Sequence, residues 1–97
     1  MITLVAIAQA KPGKEEVLKE SMLALVPQTR QETGCVNYDL HQSLSKPGVF
    51  MFHENWADRE ALQKHSKMPY MLDLRTKMAD LLAEPLQIEL YEMISKR

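Results

Sequence analysis

Apolar and polar positions change period several times along this chain, and each change marks an element. Residues 2–9, ITLVAIAQ, are an apolar, partly β-branched run, the pattern of a strand buried on both faces or nearly so. Lys11-Pro12-Gly13-Lys14 then reads as a turn. Over 14–33, Val17, Leu18, Met22, Leu25, Val26 and Thr29 recur at spacings of three and four, with Glu15, Glu16, Lys19 and Glu20 opposite. That spacing predicts an amphipathic helix, with Pro27 kinking it and Gly34 ending it. From Cys35 to Leu44 the period becomes two, Val36, Tyr38 and Leu40 against Asn37, Asp39 and His41, which predicts a half-buried strand. Pro47-Gly48 predicts a type II turn, and Val49 to Trp56 the next strand. Asp58 suits the N-cap of a short helix running to about His65, and Pro69 suits the first turn of a second helical piece. Leu72, Arg75, Met78, Ala79 and Leu82 are its expected packing face, and Pro85 its end. Leu86 to Ile94 alternates again and closes the chain as a strand.

The order is β-α-β-β-α-β with a broken second helix, an α+β ferredoxin-like arrangement in one domain over 1–97. Right-handed crossovers put the helices on one face of a four-stranded antiparallel sheet. The other face is then bare, and its apolar residues predict a homodimer whose two sheets pack into an α+β barrel.

Composition narrows the function classes. The net charge is −1, with Lys and Arg scattered among acids, so no field draws in nucleic acid or an anionic membrane. The Lys64–Lys67 and Lys96–Arg97 pairs are too short to form basic patches. Cys35 is the only cysteine, which excludes an intrachain disulfide and a cysteine-based zinc site. The apolar N-terminus lacks a positive leader and is too short to span a membrane, so the expected location is cytoplasmic. Three scattered glycines make no phosphate-cradling loop, and no GxSxG occurs. The three histidines show no metal-ligand spacing, so no metal is expected.

The chemistry-bearing residues gather between Asp39 and Tyr70. An even-length hairpin loop would put Asn37, Asp39, His41 and Ser43 on one face with Phe50, Phe52, Glu54 and Trp56. Two carboxylates across a strand pair, with an imidazole nearby, make an acid–base group. A solvated hairpin end is the plainer alternative. His65, an imidazole on the short helix, is placed to give or take a proton at a pocket mouth, where Tyr70 adds a phenol.

Three stretches carry a family resemblance: KPGKEEVL, TRQETGCVNYDLHQS and FMFHENWADREALQKHSKMPY. Over nearly its whole length the chain resembles the antibiotic biosynthesis monooxygenase domain. The resemblance implies a dimeric α+β barrel with a pocket between sheet and helices. It also implies oxidation of quinols or polycyclic phenols and anthrones without a cofactor, the electron-rich substrate activating oxygen itself. His65 and Trp56 would then be catalytic, His65 transferring the proton and Trp56 forming an apolar wall. Glu54, Phe52, Tyr70, Asp39 and His41 would bind substrate. Haem-degrading relatives carry an Asn on the first strand, where this chain has Val5, Ala6, Ile7 and Ala8. Another branch processes a small phosphorylated autoinducer, for which Lys64, Lys67 and Arg75 are available. A non-catalytic module that sequesters apolar molecules is the third expectation, favoured by the methionine content.

Overall fold

The apolar run near the N-terminus lies second from one edge of a four-stranded sheet. The computed structural model describes residues 1–95, so the Lys96–Arg97 pair lies outside the described residues. Its elements are β1 (Ile2–Gln9), α1 (Glu15–Leu23), α2 (Val26–Arg30), β2 (Cys35–Gln42), β3 (Val49–Trp56), α3 (Arg59–Ser66), α4 (Pro69–Leu81) and β4 (Gln87–Glu92). Strand order is β2-β3-β1-β4 with every pair antiparallel, the ferredoxin-like α+β arrangement.

Local chemistry explains most boundaries. The long first helix divides at Ala24–Leu25 rather than kinking at Pro27, which sits in the first turn of α2. There its missing N–H leaves no hydrogen bond unmade. Asp58 caps α3, its carboxylate accepting from the Ala61 N–H at 2.8 Å. Pro69 opens α4.

One side of the sheet carries the core. Leu4, Ala6 and Ala8 of β1 meet Phe50, Phe52 and Trp56 of β3 and Tyr38 of β2. Leu18, Met22 and Leu25 cover them from the first helical pair, and Leu74, Met78 and Leu81 from α4. The packing face of α4 therefore runs through 74, 78 and 81, and Leu72, expected inside, is exposed. Spacings of four and three keep those three side chains on one stripe. β1 is buried on this side only, with Val5 half-buried and Ile7 exposed behind it.

The hairpin corrects the expected faces. Ser43 N–H donates to Val49 O at 2.9 Å and closes a five-residue loop, Leu44 to Gly48. The Ser43 hydroxyl accepts from the Lys46 N–H at 3.1 Å inside it, and Gly48 does not take the positive φ of a type II turn. An odd loop inverts the parity. Tyr38 now pairs with Glu54 and Leu40 with Phe52, while Asp39 pairs with His53 and His41 with Met51 on the opposite face. That opposite face is more polar than expected: Asn55 donates to Asn37 at 2.7 Å, and Asn37 to Asp39 at 3.0 Å.

Gly34, in the turn between α2 and β2, packs against α3. Its φ is +87°, and a Cβ built there lies 2.5 Å from the Ala61 Cβ. A left-handed L-residue costs about 1–2 kcal/mol, and overpacking adds about 1–3 kcal/mol. Gly34→Ala is expected to lose at least about 2 kcal/mol in urea unfolding; a midpoint equal to wild type would contradict this close approach.

Candidate functional site

β3 ends in Glu54, Asn55 and Trp56, and the register that buries Phe50 and Phe52 turns Glu54 and Trp56 inward as well. β4 brings Ile88 opposite Ala6 and Leu90 opposite Leu4. Both point to the helical side, yet they remain 58% and 46% exposed because no helix reaches over this edge strand. The shortfall leaves a cavity of about 290 Å³ between sheet and helices. Leu4, Ala6 and Phe52 form its floor, Leu62 and Met71 its helical wall, and Leu86, Ile88 and Leu90 its third side. Glu54, His65, Gln63, Ser66 and Arg75 supply the polar groups. An apolar cleft with a few convergent polar groups is the usual form of a small-molecule site. A wider groove of about 380 Å³ along Met78, Leu82 and Pro85 contains no buried polar side chain and is the weaker candidate.

Glu54 is 4% exposed. Burial pushes its carboxyl up from the ordinary 4.5 to about 7, and the nearby Glu32 charge adds to the rise. Trp56 opposes it by donating its indole N–H to Glu54 Oε1 at 2.9 Å, but one hydrogen bond does not offset the loss of water. Glu54 thus changes charge near neutral pH, as a working acid or base does.

His65 lies in the last turn of α3 and is 3% exposed. Its ring stacks on Trp56, centroids 4.6 Å apart, and meets Tyr38 edge-on at 5.4 Å. Nδ1 lies 2.9 Å from Glu32 Oε2, and the Tyr70 hydroxyl donates to that same oxygen. Burial together with the Glu32 contact pushes the Tyr70 phenol up to about 12, and burial raises Tyr38 as well. Both phenols are therefore neutral at physiological pH.

Of the seven residues singled out from the sequence, His65, Glu54 and Phe52 line the cavity. Trp56 stands behind His65 and is not part of the wall. Tyr70 reaches the site through Glu32 rather than by touching the cavity. Asp39 and His41 face away: Asp39 pairs with Arg30 at 2.7 Å, which holds its carboxyl below the usual range, and His41 contacts the Met51 carbonyl at 3.3 Å. The expected pair of carboxylates across the hairpin is therefore absent, and the second buried acid is Glu32. Nothing in the hydrophobic pattern marks Glu32, which stands in the turn before Gly34. Among the described residues, no three His, Cys, Asp or Glu side chains gather as a metal site, and no helix is long and apolar enough to cross a membrane.

Comparison with known proteins points in one direction. The profile of the antibiotic biosynthesis monooxygenase family matches residues 1–77. An uncharacterised Synechocystis protein is 32% identical over 85 residues, 88% of this chain, which spans only 58% of that relative's length. YcnE of Bacillus subtilis, provisionally named a monooxygenase, is 31% identical and is covered over 93% of its length by 91% of this chain. The crystal structure of PA3566 from Pseudomonas aeruginosa superposes with a TM-score of 0.92 at 33% identity, over 97% of this chain and 94% of that one.

Proposed function

Because the chain belongs to the antibiotic biosynthesis monooxygenase family, we propose that it oxidises small quinols, anthrones or related phenols with molecular oxygen and no cofactor. The observation that carries this function is the apolar cavity holding a buried His65 beside a carboxyl that titrates near pH 7. His65 takes a proton from the substrate and generates an electron-rich oxyanion. Glu54, when neutral, donates a hydrogen bond to an oxygen of the same ring. Oxygen then draws electrons from that ring directly. For an anthrone, the ring CH2 becomes a carbonyl with one oxygen atom, and the other leaves as water with the two hydrogens. The apolar walls exclude water from the anion, and the cavity volume suits a few fused rings.

A phosphorylated sugar-like ligand finds less support here. Glu54 is in the cavity and Glu32 just behind it, while Lys64 pairs with Glu60 at the surface, 3.3 Å away. Arg75 is the one cation among the lining residues.

Oxygen uptake with a panel of naphthoquinols and anthrones is the deciding measurement. Turnover of at least one of them well above its spontaneous autoxidation is expected. Uptake equal to the protein-free rate across the panel would remove the oxygenase assignment, and tight binding without product would favour a sequestering module.

We also propose that the open sheet face, with Val5, Ile7, Met51 and Tyr91 among its polar residues, packs against a second copy of the chain. Sedimentation at micromolar concentration is expected to give a dimer; a stable monomer would defeat the pairing.

A further inference from the structure

The oxidation described above leaves one buried acid without a task. Glu32 is held in the turn between α2 and β2, and its side chain is 6% exposed. The turn is pinned on its far side, where the Gly34 carbonyl accepts the Ala57 N–H at 2.8 Å. Glu32 thus reaches from this turn to two helices, to His65 in the last turn of α3 and Tyr70 in the first turn of α4. His65 Nδ1 and the Tyr70 hydroxyl converge on Oε2.

A neutral acceptor would satisfy two donors as well as a carboxylate does. Burying an acid to tie three segments together is also a poor way to gain stability, since apolar packing of similar volume is often as good or better. A carboxylate has a specific use when the imidazole it faces must carry a proton during turnover. It fixes the proton on Nδ1, leaves the Nε2 lone pair as acceptor, and balances the positive ring afterwards without itself being protonated. Among the described residues, the surroundings of His65 offer no other such partner: Trp56 stacks on one ring face, Tyr38 meets its edge, and Glu54 is engaged by the Trp56 indole.

We infer that Glu32 is a positioning residue that holds His65 as the Nδ1–H tautomer and directs Nε2 at the substrate, with Tyr70 steadying the carboxylate. The inference rests on His65 being the proton acceptor. It adds that the acceptor works only while Glu32 is charged and hydrogen-bonded to Nδ1. The proton transferred from the phenol ends on Nε2, so the step converts a neutral pair into an imidazolium and a phenolate, with Glu32 negative throughout.

The test combines the His65 tautomer, read by nitrogen-15 NMR of the full chain, with steady-state oxygen uptake. The wild type is expected to show the Nδ1–H form. Glu32→Gln is expected to shift His65 toward Nε2–H and lower kcat about 100-fold, part of what a general base contributes, with KM within about twofold. Tyr70→Phe removes a donor but not the charge, and is expected to keep the tautomer with a loss below about 10-fold. An Nε2–H form in the wild type overturns the inference, with no variant needed. So does a Glu32→Gln protein that keeps its kcat while His65→Ala is inactive. If instead His65→Ala keeps full activity, the proton-acceptor role fails, and with it any catalytic purpose of Glu32; an Nδ1–H tautomer would then identify the pair as structural.

Discussion

Replacing His65 with alanine is expected to lower kcat for oxygen-dependent turnover about 10²- to 10⁴-fold, the range for removing a general base. The effect should fall on kcat rather than on KM, because the apolar walls formed by Phe52, Leu62 and Leu90 remain. The variant also loses the stack on Trp56 and leaves Glu32 with Tyr70 as its remaining side-chain donor. Stability should therefore drop by about 1–3 kcal/mol, and the assay must run well below the melting temperature. A His65→Ala protein that is folded by circular dichroism and turns over within about threefold of wild type would exclude this histidine as the base.

Glu54→Gln is expected to make the protein more stable at alkaline pH. The folded-state pKa of about 7 lies above the ordinary 4.5, so the neutral form is the one that folding favours. Below about pH 4.5 the wild type carries no penalty from this group. The stabilisation from a neutral Glu54 is lost as pH rises from there through 7, because ionising the buried carboxyl works against the folded state. The gap between 4.5 and about 7 corresponds to about 3 kcal/mol at pH 8. Glutamine is uncharged, fills nearly the same volume and still offers an oxygen to the Trp56 indole. Melting temperatures of the two proteins should coincide near pH 4 and diverge above pH 7, with the variant higher. Parallel curves across the range would mean that Glu54 is not desolvated as described. Turnover should move the opposite way, since the group gains its use in catalysis from the same burial that costs stability.

Much of the fold is legible from periodicity. The 2–9 strand, the cap at Asp58 and the opening proline at 69 are local signals, and each appears where its chemistry requires, whereas α2 ends at Arg30 with Gln31 as its cap, short of the stop expected at Gly34. The element order led to the ferredoxin-like sheet through the handedness of its crossovers. His65, Glu54 and Phe52 were also recognisable, because they cluster near the only tryptophan at the junction of β3 and α3.

The site's second carboxylate was not. Asp39 was expected opposite Glu54 on an even hairpin loop, and one residue more in that loop sent Asp39 and His41 to the other face. Glu32 took the place because the α2–β2 turn folds against the end of α3, a contact between residues 33 positions apart. Hydrophobic and polar alternation therefore specified the elements, their order and the inward direction of Glu54, since those depend on neighbours in the chain. Which acid meets His65, how far Trp56 stands from the cavity and where the walls leave room depend on loop parity and on helices stopping short of β4. Those are properties of packing between distant segments, and local sequence carries no signal for them.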